Sequence, residues 1–345
     1  MVDQYVNEIP LGNGVSMKEF FLVPGDSAPI PMEIDAPTEE NREGDRLVKI
    51  YHAEEFVKVN GRKTPAIFEG SYKLSDITMD TLEGTFEPDA RFKKAINARR
   101  EKALEALVKS GGHDGKNVSV RDWHISEEKV KLIGQAIYYS QFRATDNAQD
   151  EPLKPYDESF PEGAALRDYV VVNGKESRKG TDILSNLLGA AFIVKSKGQD
   201  EQDYFLLGRI RRNKVLSVIG GTPMWEEDYF GPERTGDFAQ YMKKLGQEEH
   251  HEELSLNPDE IEIGNKVLLV RTLLRVFDPF YTVDVDSAVT IENIAARCYG
   301  NEEALKEHDR FYALPRTAEA VQKLMNNTRG YNVGLGTIAG LSLAL

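Results

Sequence analysis

The stretch QEEHHEELSL (247–256) sets the hardest constraint on how this chain can fold. Asp237 and Gln240 occupy the N-cap and N3 positions of a capping box, so a helix is predicted from about Asp237 to Leu254. At about 100° per residue, with Phe238 taken as zero, Tyr241, Met242 and Leu245 fall within about 60° of one line and form an apolar stripe. Glu249, Glu252 and Glu253 fall on the same line, whereas a solvated charged face should lie opposite it. His250 and His251 fall well outside it and read as structural or exposed, with Glu248 at its flank. Carboxylates that continue an apolar stripe must be neutralised, solvated in a cleft or bound to a cation, because an unpaired buried charge is costly. The alternative is an ordinary charged helix end, with Gly246 breaking the helix before the glutamates.

Around this helix the pattern changes along the chain. Residues 1–45 are rich in Pro, Gly and acid and read as an extended, loop-rich lead-in. Residues 46–79 carry β-like runs with Asn60-Gly61 as a tight turn. Helices are predicted over Asp89–Ser110 and over Glu127–Phe142, the second with Ser126 as its N-cap. The polar, proline-bearing stretch 145–168 reads as a linker or long loop. Beyond it, strands are predicted at Leu187–Val194, Tyr204–Ile210 and Val215–Ile219, the last stopped by Gly220-Gly221. Two long β-runs follow the acidic helix, then a helix near Thr317–Asn326 and an apolar C-terminal helix or strand. With 345 residues the chain exceeds what one hydrophobic core usually serves, and two domains are expected, at 1–170 and 180–345.

Composition narrows the function classes. A net charge of −14 with no Lys/Arg-rich run argues against bulk nucleic-acid or anionic-membrane binding, and phosphorylated substrates would then need divalent cations as intermediaries. Cys298 is the sole cysteine, which excludes a disulfide framework and a thiolate zinc site. The N-terminus lacks the basic-then-apolar build of a signal peptide, and the apolar C-terminus is too short for a membrane span. A soluble, cytoplasmic protein is expected.

The acidic segment resembles the second half of the Nudix box, R-E-U-x-E-E-x-G-U, where U is bulky and aliphatic. Its three glutamates match Glu249, Glu252 and Glu253, and the first half, G-x5-E, matches Gly221 to Glu227. The resemblance covers about residues 180–330. It implies an α+β chain whose C-terminal half is a Nudix-like α/β/α sandwich with a mixed sheet, preceded by a separate α+β domain for substrate selection or dimerisation. It also implies hydrolysis of a nucleoside diphosphate linked to another moiety, with Mg²⁺ or Mn²⁺ held by Glu249, Glu252 and Glu253 and, more weakly, by Glu227 and the Gly221 carbonyl. Glu249 or Glu253 would assist the attacking water. The partner would be a nucleotide-type small molecule, a capped RNA end included, and a homodimer is compatible with this reading.

Three positions depart from the motif: Glu248 replaces its arginine, His250 an aliphatic residue and Ser255 its glycine. Asp228–Gln247 places twenty residues where the family has seven, a lengthening whose closure cost grows slowly. Loss of the bracing arginine leaves open a second reading, a Nudix-fold binding or regulatory protein without turnover. Arg209, Arg211 and Arg212 could pair with phosphate, and Trp225 could stack on a base; surface charge and loop packing are the plainer readings. Glu302, Glu303 and Glu307 could supply a further base or form a solvated loop. The segment Gly111 to Gly115 lacks a Gly-Lys-Ser/Thr ending and reads as a helix-terminating turn rather than a phosphate loop.

Overall fold

A computed structural model describes residues 6–24, 56–59, 62–172, 175–176, 180–211, 215–272, 278–326, 332–333 and 335–345. The strands are β1 (Val6–Gly12), β2 (Val15–Phe21), β3 (Phe56–Val59), β4 (Arg62–Lys73), β5 (Ile77–Thr85), β6 (Lys116–Ile125), β7 (Val130–Tyr138), β8 (Val171–Val172) and β9 (Lys175–Glu176). They continue with β10 (Ala190–Lys197), β11 (Asp203–Ile210), β12 (Val215–Ser217), β13 (Ile219–Gly221), β14 (Ile261–Thr272), β15 (Asp278–Val285), β16 (His308–Pro315) and β17 (Asn332–Val333). The longer helices are α1 (Lys93–Lys109), α2 (Phe238–Leu254), α3 (Ile291–Cys298), α4 (Ala318–Asn326) and α5 (Leu335–Ala344).

One large mixed sheet runs in the order β1-β2-β16-β11-β10-β15-β14-β4-β3, with β13 added beside β10 and β12 beside β11. β10 and β15 pair in parallel, Ala191 opposite Phe280 and Val194 opposite Val283. Side-chain alternation divides β10 between two cores. Ala190, Phe192 and Val194 face a core shared with Tyr241, Met242 and Leu245 of α2 and Ile291 and Ile294 of α3. Ala191 and Ile193 face the other, closed by Ala320, Val321 and Leu324 of α4 and Leu341 of α5. Helices therefore cover both faces of the sheet.

The division expected at residues 170–180 is not the one the sheets follow. β1, β2, β3 and β4 belong to the large sheet, β2 pairing with β16 and β4 with β14. Of the lead-in, residues 6–21 form a strand hairpin, with Ile9, Leu11 and Met17 facing one core and Phe20 the other; residues 25–45 lie outside the described residues. Asn60-Gly61 lies outside the described residues.

A second sheet, β5-β7-β6, stands apart in strand pairing and shares a core with α2 through Met79, Val118, Val120, Val130 and Leu132. Here the predicted helix over Glu127–Phe142 is corrected. Ser126 closes a β-hairpin instead, its Oγ accepting from the Lys129 N–H at 3.0 Å. Val130, Leu132, Gly134 and Ala136 alternate inward along β7, and only Tyr139–Ala144 is helical. Period-2 burial overrode a run whose acidic start imitates a helix N-terminus. The stretch 145–168 is a packed loop rather than a linker: Leu153 and Phe160 are buried, and the buried Asp146 carboxylate accepts from Ser185 N–H at 3.0 Å and Asn186 N–H at 3.1 Å.

Candidate functional site

The capping box forms as expected: Asp237 accepts from Gln240 N–H at 2.8 Å, and the Gln240 side chain accepts from Asp237 N–H at 3.0 Å. α2 then runs unbroken through Gly246. That glycine is a contact point, since a Cβ there would lie 2.8 Å from Phe192 Cε1 and overlap Ile263 Cδ1. Without a side chain the helix lies directly on β10.

Close approach at Gly246 also fixes which way the helix faces. A buried row runs through Phe238, Met242, Gly246, His250 and Leu254, each four residues on and about 40° further round, with Tyr241 and Leu245 buried beside its first turns. Centred on that row at about 70–80° from Phe238, the three glutamates are graded. Glu253 is buried, Glu249 half-buried and Glu252 exposed. His250 is fully buried, against the expectation that it falls outside the stripe; His251 is exposed. Phe238 is the first residue of a drifting row rather than its centre, which brings His250 inward. His250 Nδ1 lies 2.5 Å from the Gly246 carbonyl oxygen, its ring meets Phe192 edge-on, and burial lowers its pKa to about 4.

Glu249 and Glu253, one turn apart, hydrogen-bond to each other through their carboxyl groups. Burial is the largest cause pushing both pKa values up, and the charges of Glu252 and Glu307 add to it. The Glu249 carboxyl is seated on the end of β13, where a Cβ on Gly221 would overlap Oε1 and lie 2.5 Å from Cδ. Behind it, Glu253 Oε2 lies 2.5 Å from Nε2 of His308, the first residue of β16, and burial lowers that imidazole to about 4. His308 in turn covers Gly208, where a Cβ would come within 2.9 Å of Nε2. Glu249, Glu253 and His308 form one continuous chain of polar groups that runs from the helix surface into the core.

Helix termination agrees with the motif in geometry and differs in residue. Ser255, where the motif has glycine, sits in the left-handed region at φ 53°. Its Oγ accepts from Asn301 Nδ2 at 2.8 Å, a bond that glycine could not make.

A cleft of about 340 Å³ opens along the exposed side of the acidic turn. Glu248, Glu249 and Glu252 line one wall, with Glu226 beside them; His113, Gly115, Asn117 and Tyr139 line the other, and Thr222 and Met224 lie between. The second wall is held by backbone bonds across the units: Val118 N–H donates to Pro223 O at 2.9 Å and Trp225 N–H to Lys116 O at 3.0 Å. None of His113, Asn117 or Tyr139 was singled out in the sequence. The segment before them is indeed a helix-ending turn, with Gly111 at φ 76° and Gly112 N–H bonded to Leu107 O at 2.8 Å. What the turn does beyond that depends on docking against a segment a hundred residues away, for which local sequence carries no signal.

Several expected residues lie elsewhere. Glu227 is exposed and takes the Trp225 indole N–H at 3.3 Å; its neighbour Glu226 lines the cleft and pairs with Lys244 at 2.6 Å. Trp225 packs on Phe230 with ring centroids 5.5 Å apart, and it does not line the cleft. Arg209 is buried in an ion pair with Asp309 at 2.6 Å. Arg211 donates to Leu305 O at 3.0 Å, and Arg212 lies outside the described residues. Glu303 pairs with Lys306 at 2.6 Å; Glu302 is exposed; Glu307 ends a short helix near enough to act on Glu249 and Glu253. Cys298 is buried, its thiol pushed up to about 12 by burial, which removes it as a nucleophile.

The donor chemistry suits a hard divalent cation, since carboxylate oxygens are the ligands such ions take. Among the described residues, however, no three His, Cys, Asp or Glu side chains are arranged around a common point. Glu249 and Glu253 spend oxygens on each other and on His308, so holding a cation requires them to lose protons and give up their mutual bond.

No family model matches the chain, and no curated protein matches it. Among solved structures it is similar to a crystal structure of a hydrolase of the NUDIX family from Clostridium perfringens, at 13% sequence identity and a TM-score of 0.28, over 47% of this chain and 97% of that one. At that score the likeness is weak and settles neither the activity nor the site.

Proposed function

We propose that this chain is a divalent-cation-dependent hydrolase of the Nudix type, acting on a nucleoside diphosphate linked to another moiety. The observation that carries the reading is the Glu249–Glu253 acid pair, in which Glu249 is seated on Gly221 and lines a cleft beside Glu252. Glu249, Glu252 and Glu253 would hold Mg²⁺ or Mn²⁺, which when bound lowers the pKa of a water and offsets phosphate charge. The chain's own residues prepare that site. Gly221 leaves room for the Glu249 carboxyl, His308 fixes Glu253 from behind, and Glu252 stays in the cleft where substrate enters. Both buried acids must ionise to bind the cation, so affinity rises with pH.

A panel of dinucleotides, nucleotide sugars, nucleoside triphosphates and capped RNA, assayed with Mg²⁺ or Mn²⁺, tests the reading. Turnover is expected for at least one class and should be lost in Glu252→Gln, whose exposed side chain can change without disturbing the fold. Turnover that survives Glu252→Gln refutes the assignment.

One observation favours a second reading, a binding protein without turnover. Glu248, in place of the motif arginine, is exposed on the cleft wall, 3.7 Å from Lys244, and braces none of the three glutamates. Cation-dependent nucleotide binding with no hydrolysis of any panel member would select it.

A further inference from the structure

The two walls of the cleft differ in kind. On the α2 side Glu248, Glu249 and Glu252 supply acids for a cation and, through it, phosphate. On the other side His113, Asn117 and Tyr139 bring no carboxylate, ammonium or guanidinium. They bring an imidazole, an amide whose Nδ2 donates to the Gly115 carbonyl at 3.0 Å, and a phenol, groups that between them donate and accept hydrogen bonds. The nearest acid on that segment, Asp114, is turned away to Ser140, accepting from its N–H and hydroxyl at 2.7 Å each. Met224, between the walls, is 51% exposed although it is a large apolar side chain. A thioether in that position suits contact with a flat ring, because sulfur packs well on aromatic systems.

On this basis, and resting on the hydrolase reading above, we propose that the wall built by the small sheet is the specificity site: His113, Asn117, Tyr139 and Met224 bind a neutral heteroaromatic ring, the nucleobase of the substrate. The diphosphate then lies toward α2 and the ring toward β6, so the two ends of the substrate are read by the two units of the chain. The lengthened segment 228–247 belongs to this arrangement, since the turn before it, 223–225, is bonded to β6 and carries Met224 into the cleft.

The test measures the two ends separately, by calorimetry on the full chain. The probes are four uncharged nucleosides, titrated singly, and methylenediphosphonate with Mn²⁺. Wild type should bind at least one nucleoside without any cation. Met224→Ala and Tyr139→Leu should weaken that binding about tenfold, in the range of a lost base contact, and leave the diphosphonate affinity within about twofold. Glu252→Gln should do the reverse. Met224 is exposed enough that its variant serves if Tyr139→Leu does not fold. If no nucleoside binds, or if the wall variants weaken both probes equally, the specificity assignment is overturned, whatever the turnover assay shows. If turnover is absent while nucleoside binding responds as stated, the hydrolase reading falls and the base site stands.

Discussion

Two adjacent glycines on β13 separate folding from function, and the contrast gives a sharp prediction. A Cβ on Gly220 would overlap the carbonyl oxygen of Ala190 and lie 3.2 Å from Ala191 Cα, both backbone atoms of a central strand that cannot move aside. Gly220→Ala is therefore an overpacking change and should destabilise by about 1–3 kcal/mol. For a Cβ on Gly221 the three nearest atoms all belong to the carboxyl of Glu249, at the tip of a flexible side chain. Swinging that group off its rotamer costs about 0.5–1.5 kcal/mol, and the stiffer unfolded chain returns about 0.4–1 kcal/mol, so the net change should lie within about 1 kcal/mol. The displaced carboxyl should nonetheless weaken Mn²⁺ binding about 10- to 100-fold, the usual result of disturbing ligand orientation. Urea unfolding measures the first quantity and Mn²⁺ titration at pH 8 the second. Wild-type Mn²⁺ affinity in Gly221→Ala would refute the seating of Glu249 as a ligand. A stability loss matching that of Gly220→Ala would show that the contact is rigid packing.

Further predictions follow from the same geometry. Glu249 and Glu253 are raised from 4.5 to about 9 and about 8, so the native state binds more protons than the unfolded state over that window. Their contribution to stability is fully present below pH 4.5 and lost as pH rises toward 9, so saturating Mn²⁺ should raise the melting temperature more at pH 8.5 than at pH 5.5; equal shifts would count against the site. His250, lowered from 6.5 to about 4, works the other way: its contribution is present above pH 6.5 and lost as pH falls to 4. His250→Leu restores the motif's aliphatic residue and removes a buried Nε2 without a partner; it should be neutral or stabilising by about 1 kcal/mol and abolish that acid-limb loss, as pH-dependent urea unfolding would show. Arg209→Ala breaks a buried ion pair and should cost about 3–5 kcal/mol in urea unfolding, while cation and nucleoside affinities of the folded fraction stay unchanged.

Local signals were legible where local physics decides. The capping box at Asp237 and Gln240, the hairpin partner at Tyr204–Ile210 and the helix ending at Asn326 follow from residues close in sequence. The helix expected at Glu127–Phe142 failed because an acidic start outweighed the alternation of Val130, Leu132 and Ala136, which matters only once β6 lies beside it. Motif spacing selects Glu227, whereas Glu226 lines the cleft, since which one faces it depends on how the chain turns after Gly221.

By itself, the sequence determined that a capped helix carries three carboxylates on one side and that something must answer for their charge. Helical period alone requires that much. The tertiary structure decided the rest. Gly246 lets α2 settle on Phe192, and that contact turns the helix so that Glu253 and His250 are buried and Glu252 is left in the open. His308, fifty-five residues on, reaches Glu253 because β16 pairs with β11, and the uncharged wall faces the acids because β6 bonds to residues 223–225. Pairings between distant segments leave no periodic trace in either partner, so those neighbours exist only in the folded chain.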